Sequence, residues 1–210
     1  MQDPSPEDII AGHQAFRQNE PRDAMYRTAA FLVNHFWGQP AEMANGLGVL
    51  LLTWNGAFYR GDVFSLDRLE QCISANMELL KQYRNKEISS YETSRDGDNI
   101  KHLFIELLEA TRIVSGKRNG YRSAVSAAKA LHLLAPNFFP LWDMKIAVKY
   151  ECDYQTKPVA VQAEVYLLFF LKAKALAEKL QGFVNTQELG ITLPKLIDEY
   201  NYAKYTKEWL

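Results

Sequence analysis

An aspartate in the second half of the chain stands where a carboxylate could do chemistry. The segment PNFFPLWD, residues 136–143, cannot be helical throughout, because a proline disfavours helical backbone at the residue before it. We therefore predict an extended connector that ends at Asp143, followed by a helix from Met144 to Tyr150 with Asp143 as its N-cap. A helix N-terminus favours an ionised carboxylate, so Asp143 could stabilise a positive charge on a bound molecule or orient a water. The alternative interpretation is an N-cap with no part in any chemistry.

A turn with adjacent cations precedes this region. The stretch SGKRNG, residues 115–120, has two glycines and two basic residues, which is typical of a turn. Residues 101–150 contain eight Lys or Arg against three acidic residues, although the whole chain has a formal net charge of -1. Such a local stripe is compatible with a surface that grips phosphates, and also with the solvated face of a helix.

The elements that would position these residues are predicted to be helices. Apolar residues recur at helical spacing along most of the chain, and no alternating run is long enough to require a sheet. The predicted helices are Met25 to Phe36, Ala41 to Phe58, a helix capped by Ser65 that runs to Tyr83, a helix capped by Asp98 that runs to Val114, Ser123 to Leu134, residues 159–180 and residues 192–205. Residues 1–23 are predicted to be a polar lead-in that can include a short helix, and residues 89–97 are predicted to be a loop. The sequence therefore predicts an all-α protein.

Composition limits the class of protein further. A chain of 210 residues with 48% hydrophobic residues can form one substantial core or two small lobes. Its two cysteines exclude a four-thiolate iron–sulfur cluster or a four-cysteine zinc site within the chain, and we expect no metal and no cofactor. The opening MQDPSPEDII lacks the pattern of a secretory signal, and the apolar runs are shorter than a bilayer-spanning helix requires. We expect a cytoplasmic protein without a membrane span.

Two segments resemble the helix-hairpin-helix DNA glycosylases, a superfamily that includes the 8-oxoguanine and adenine glycosylases. The main match is VSAAKALHLLAPNFFPLWDMKI, residues 125–146, in which an apolar helix and a phenylalanine–proline–aliphatic run lead to an aspartate. The stretch LLLTWNGAF, residues 50–58, resembles the early core helix of that family. The resemblance implies one two-lobed helical unit with a degenerate hairpin. Residues 41–150 would form the core with the hairpin and the catalytic aspartate, and residues 1–40 and 151–210 would pack together as the second lobe.

The resemblance also implies roles for residues near the reacting sugar and base. Asp143 would be the catalytic aspartate, and Lys129 is the candidate for the lysine with which bifunctional members attack the sugar. Counted back from Asp143 without gaps, the place of that lysine is held by Val125, which favours a monofunctional enzyme. The residues implied at the flipped base are Asn55 as the wedge and Trp54, Phe58 and Trp142 as the pocket.

The hairpin is the part of the resemblance that departs most from the family. Members of the family usually have two glycines flanking an aliphatic residue, whereas the stretch NGYR, residues 119–122, keeps one. Side-chain cations could replace the missing contacts between backbone amides and a phosphate. The residues implied to bind DNA are Lys117, Arg118, Gly120 and Arg122.

The function implied by the resemblance is base excision from DNA. A monomeric, cofactor-free enzyme would hydrolyse the N-glycosidic bond of a modified or damaged base flipped out of double-stranded DNA, leaving an abasic site. A narrower hypothesis is antiviral defence through excision of modified cytosines of phage DNA, because small size, degenerate hairpin and missing iron–sulfur cluster are unlike the housekeeping members. Two alternatives remain open: a non-catalytic DNA-binding module on the same scaffold, and a helical protein-interaction or regulatory protein.

Overall fold

The computed structural model describes residues 3–210, and within that range the chain is helical apart from one small antiparallel ribbon. The helices are α1 (Pro6–Asn19), α2 (Asp23–His35), α3 (Pro40–Trp54), α4 (Gly56–Tyr59), α5 (Leu66–Ala75), α6 (Met77–Tyr83), α7 (Thr93–Ala110), α8 (Ala124–Leu134), α9 (Met144–Lys149), α10 (Val159–Leu180), α11 (Thr186–Leu189) and α12 (Leu193–Asn201). A 3-10 turn covers Ile88–Ser90, and a π-helical turn covers Tyr202–Thr206. The predicted all-α class is confirmed.

The helix predicted from Asp98 to Val114 is wrong at both ends. It begins six residues earlier than a cap at Asp98 implies, at Thr93. The buried carboxylate of Asp96 is accommodated in this first turn because it has hydrogen-bond and ion-pair partners. That carboxylate accepts hydrogen bonds from the backbone of Glu92 and from the hydroxyl of Tyr83, and it pairs with the side chains of Lys86 and Arg95. A polar stretch whose sequence is typical of a loop can therefore form part of a helix.

The far end of α7 gives way to the ribbon. Strand β2 (Ile113–Ser115) pairs with β1 (Val63–Phe64), and Phe64 lies opposite Ile113. Ile113 is fully buried there, so its side chain remains in the core although the backbone has left the helix. Residues 113–115 are thus extended rather than helical.

Helix α8 lies at the centre of the fold, against α2, α3 and α7. Every residue of α8 is buried except Val125 and Lys129, and its many alanines allow close approach of the neighbouring helices. Ser123 caps the helix by accepting a hydrogen bond from the backbone of Ser126, as predicted. The helix ends at Leu134, two residues before Pro136, which cannot continue the ladder of hydrogen bonds.

The connector and α10 share an aromatic core. Phe138, Phe139 and Trp142 of the connector are almost fully buried, and the ring centroid of Trp142 lies 5.4 Å from that of Phe169 in α10. Tyr166 stacks on Phe104 of α7 at a centroid distance of 4.7 Å. Within residues 3–210 no helix, α10 included, has both the length and the apolar character needed to cross a bilayer.

The two ends of the described chain pack on each other. Residues predicted as a polar lead-in form the 14-residue helix α1, which Ser5 and Asp8 begin with a reciprocal capping box. Helix α1 lies so close to α12 that a Cβ atom built on Gly12 would be 2.6 Å from the Cα of Tyr200. Only glycine fits at this crossing, because the clashing atom belongs to the backbone.

We expect Gly12→Ala to lower the free energy of unfolding by about 1–3 kcal/mol, because the methyl group forces α1 away from α12. Gly56→Ala is the matched control, since nothing lies within 4 Å of a Cβ atom built there. The control should change the free energy by less than about 1 kcal/mol. Urea-induced unfolding of both variants measures the difference, and equal stabilities would contradict the close crossing.

Candidate active site

A cavity opens between α8, the connector, α12 and the end of α3. Four aromatic residues line it: Tyr26, Trp54, Trp142 and Tyr202. Four ionisable residues share the same lining: Lys129, Asp143, Lys195 and Asp198. Four of the residues named from the sequence therefore meet in one cavity, namely Trp54, Lys129, Trp142 and Asp143.

Asp143 is held in a single orientation by hydrogen bonds to both carboxylate oxygens. Its Oδ1 accepts from the backbone nitrogen of Ile146 at 2.8 Å, which is the predicted N-cap of α9. Its Oδ2 accepts from the hydroxyl of Thr206 at 2.6 Å. Thr206 is in turn tied to α9, because the ammonium group of Lys145 donates to its carbonyl oxygen at 3.1 Å. The N-cap and the π-helical turn together fix this carboxylate at the cavity.

Lys129 brings an amine to the same cavity. Its Nζ donates to the carbonyl oxygen of Trp54 at 2.8 Å and lies 5.7 Å from the centroid of the Trp54 ring. That carbonyl is available because Trp54 is the last residue of α3, where backbone acceptors lack a helical partner. Burial lowers the pKa of Lys129 to about 8, although the nearby carboxylates of Asp198 and Asp143 favour the ammonium form. A neutral, nucleophilic amine is therefore accessible near neutral pH.

The two tryptophans form rigid walls. The indole nitrogen of Trp142 donates to the carbonyl oxygen of Ala124 at 3.2 Å, and that of Trp54 donates to the carbonyl oxygen of Arg22 at 2.9 Å. The Trp54 ring stacks nearly parallel to Phe16, with centroids 6.0 Å apart. Both rings are fixed by partners outside the cavity. Trp54 is half-buried whereas Trp142 is 1% exposed, so Trp54 is the ring whose face a ligand can contact without having to order it.

A buried chain of charges extends from the cavity into the protein. The ammonium group of Lys195 lies 3.3 Å from a carboxylate oxygen of Asp198 and 3.3 Å from one of Glu199, and Glu199 also contacts the ring of His13. Burial disfavours the ammonium, but the surrounding carboxylates more than offset this and raise the pKa of Lys195. Burial also raises the pKa of Asp198, against the opposing effect of Lys195.

His132 is a core residue rather than a catalytic one. Its Nδ1 pairs with the carbonyl oxygen of Phe139 at 2.8 Å, and burial lowers its pKa to about 3. The ring is therefore neutral, its Nδ1 carries the proton, and its Nε2 accepts from the hydroxyl of Tyr26 at 2.7 Å. This chain of hydrogen bonds fixes the Tyr26 ring on the wall of the cavity.

Asn55 and Phe58 do not line the cavity. The side-chain amide of Asn55 donates to the hydroxyls of Ser123 and Ser126, at 3.0 Å and 2.6 Å, and so joins the end of α3 to the start of α8. Phe58 packs edge to face on Tyr59. Asn55 is engaged within the protein, and its role as a wedge stays a prediction.

The residues named as DNA contacts lie together on the turn after β2, away from the lining of the cavity. The guanidinium of Arg118 pairs with Asp62 at 2.6 Å, and that of Arg122 pairs with both carboxylate oxygens of Glu109. The backbone amide of Gly120 donates to the carbonyl oxygen of Ile113 at 2.8 Å. Within residues 3–210, Lys117 is an exposed cation of this turn without an ion pair. DNA binding by the turn stays a prediction.

Sequence reasoning missed half of the cavity. Lys195 and Asp198 are three residues apart on α12, a spacing that on its own is typical of a solvated ion pair on a helix surface. Tyr26, Tyr202 and Thr206 have no local signal, because they reach the site only through the packing of the chain ends against its middle.

Within the part of the chain that the structure describes, no three His, Cys, Asp or Glu side chains are grouped so that they could hold a metal ion. The candidate site is therefore described by the side chains that line the cavity. In comparison with known proteins, no family model, no curated protein and no solved structure matches the chain.

Proposed function

We propose that the protein is a DNA glycosylase that removes a modified or damaged base flipped out of double-stranded DNA. The observation that carries the proposal is that an amine, Lys129, and a fixed carboxylate, Asp143, line the same cavity, which has aromatic walls. This pair suits a reaction in which the sugar becomes cationic and is attacked by a nucleophile. The protein would act as a monomer and without a cofactor.

Asp143 would stabilise the sugar as the base departs. Cleavage of the bond between C1′ and the base nitrogen develops positive charge on deoxyribose, and a fixed negative charge beside it lowers the energy of the transition state. The carboxylate of Asp143 is already oriented by Ile146 and Thr206, so little reorganisation is needed during the reaction. Preorganisation of this kind is what makes an electrostatic contribution large.

Lys129 would be the nucleophile. Its nitrogen lone pair forms a bond to C1′ as the base leaves with the electron pair of the broken bond, and the proton released from the nitrogen passes to the base. The ring oxygen O4′ then takes a proton from water as the C1′–O4′ bond breaks, and the nitrogen lone pair forms the second bond to C1′, which leaves an iminium between C1′ and Nζ. Hydrolysis by a water held at Asp143, the route expected from the ungapped alignment, is the alternative; it is less favoured because Lys129, and not Val125, lines the cavity.

The walls of the cavity suit a flipped base. Pockets for small ligands have mostly apolar walls with a few polar groups, and a single base is a small ligand of this kind. The lining of this cavity has that character, and the half-buried ring of Trp54 offers a flat surface for stacking. Modified cytosines of phage DNA remain a narrower hypothesis for the substrate.

We expect sodium borohydride to trap the protein covalently on a duplex that contains an abasic site, because hydride reduces the iminium to a stable amine. Lys129→Gln should abolish the adduct, and Lys81→Gln, which removes an exposed lysine that pairs with Glu78 of its own helix α6, should leave it intact. Gel electrophoresis of the denatured reactions measures the yield. An adduct that persists in Lys129→Gln contradicts the amine route, and release of a base without any adduct would assign the reaction to water and Asp143.

We expect Asp143→Asn to slow base release by about 100-fold or more, because the negative charge beside the cationic sugar is lost. Thr206→Val should slow it by about tenfold, because one of the two hydrogen bonds that orient the carboxylate disappears. Thr28→Val is the matched control, since the exposed hydroxyl of Thr28 bonds only to its own helix. Single-turnover rates measure all three, and an unchanged rate in Thr206→Val would show that orientation of Asp143 is unimportant.

A further inference from the structure

Asp198 is a carboxylate of the cavity that the sugar chemistry does not use. It lines the same cavity as Lys129 and Asp143, but it belongs to α12 and forms its ion pair with Lys195. Its Oδ2 contacts the Lys195 ammonium at 3.3 Å, and no hydrogen bond to its Oδ1 is found within residues 3–210. Asp198 therefore brings to the lining of the cavity a carboxylate oxygen that has no hydrogen-bond partner among the described residues.

The other members of the charge chain are satisfied inside the protein. Lys195 is shared between Asp198 and Glu199, and its ammonium lies 4.3 Å from the centroid of the Phe16 ring. Glu199 is held by both Lys195 and His13. The side chain of Asp198 is 15% exposed, against 3% for Lys195 and 2% for Glu199. Of these three charged side chains, Asp198 is thus the one that can contact a ligand in the cavity.

A ligand that fills the cavity must bring hydrogen-bond donors to Asp198. A carboxylate enclosed by a ligand without a donor loses its hydration and gains nothing in return, which is costly. Exocyclic amino groups and the ring N–H groups beside them supply such donors. Thymine and uracil instead carry carbonyl oxygens on both sides of their one N–H group, and those oxygens repel a carboxylate.

We infer that Asp198 accepts a hydrogen bond from the exocyclic amino group of the extruded base, so that the substrates are amino-bearing bases and not derivatives of uracil or thymine. The inference rests on the proposed glycosylase function and names the class of base that this site accepts. Trp54 stacks on the base, Asp198 selects its edge, and Lys129 with Asp143 acts on the sugar. Lys195 is a positioning residue that holds Asp198 in place.

Matched substrates test the inference directly. The first pair of duplexes contains 5-hydroxymethylcytosine or 5-hydroxymethyluracil, which bear an amino group or a carbonyl oxygen at the same carbon. The second pair contains 8-oxoguanine or 8-oxohypoxanthine, and only the former has the exocyclic amino group. In at least one pair the amino-bearing base should be released about 10- to 100-fold faster, the loss expected for a hydrogen bond to a charged group. Equal rates within the pairs overturn the inference. So does a lack of release from both pairs by protein that is trapped on abasic DNA.

The variant Asp198→Asn separates reading of the base from chemistry at the sugar. An abasic duplex has no base for Asp198 to contact, so trapping on abasic DNA should depend little on this residue. In Asp198→Asn, the rate at which the preferred base is released should therefore fall at least about tenfold more than the rate of borohydride trapping on abasic DNA. The amide of asparagine can also donate to a carbonyl, so the preference within a pair should narrow. Asp67→Asn, on the exposed side of α5, is the matched control and should change neither rate. Parallel losses of release and trapping overturn the inference, whereas failure of the wild-type protein to be trapped counts against the proposed function itself.

Discussion

A lysine amine that is removed from water holds its proton less tightly, and the candidate site of this protein depends on that effect at Lys129. With a pKa of about 8, roughly a tenth of the Lys129 amine is neutral at pH 7, whereas the neutral fraction of an ordinary lysine is about three in ten thousand. The lowering is limited by two carboxylates, Asp143 and Asp198, which keep the ammonium form from being lost altogether. The cavity thus holds an amine that can serve as a nucleophile without a separate base to activate it.

The scaffold around this amine is stiff for reasons that can be traced to particular contacts. Lys129 is half-buried on α8, a helix whose other residues are all buried except Val125, so the elements around the amine are tightly packed. The connector is fixed by the aromatic core, with Trp142 only 1% exposed, and Asp143 follows it directly. A carboxylate and an amine presented by such elements keep their relative positions, as a site built for a charged transition state requires.

Local signals in the sequence carried much of the helical outline. Ser65, Ser123 and Asp143 cap helices as predicted, because an N-cap depends on residues only two or three positions away. The start of α7 was predicted wrongly for the opposite reason. Burial and pairing of Asp96 depend partly on Tyr83 and Lys86, which lie on the preceding segment and not in the helix itself.

The site was predictable only where it is built from one continuous segment. Lys129, Trp142 and Asp143 lie within 15 residues of one another, whereas Thr206 reaches Asp143 across 63 positions. The pairing of Arg118 with Asp62 spans 56 positions and that of Arg122 with Glu109 spans 13. A turn whose sequence predicts a free basic surface therefore has two of its three cations paired with carboxylates. Lys195 and Asp198 have the spacing of a surface pair, but the ammonium of Lys195 is covered by the rings of Phe16, Tyr26 and Trp54, which lie far away in the sequence.

The pKa of the Lys129 amine is the measurement that tests the account most directly. In protein labelled with ¹⁵N-lysine, the Nζ resonance of Lys129 can be assigned by its absence in Lys129→Gln and followed by NMR as the pH is raised. The account predicts that the Lys129 amine titrates with a pKa of about 8. A pKa at or above 10.5, the ordinary value for lysine, would show that the amine is protonated and hydrated at neutral pH, and would contradict its role as a nucleophile.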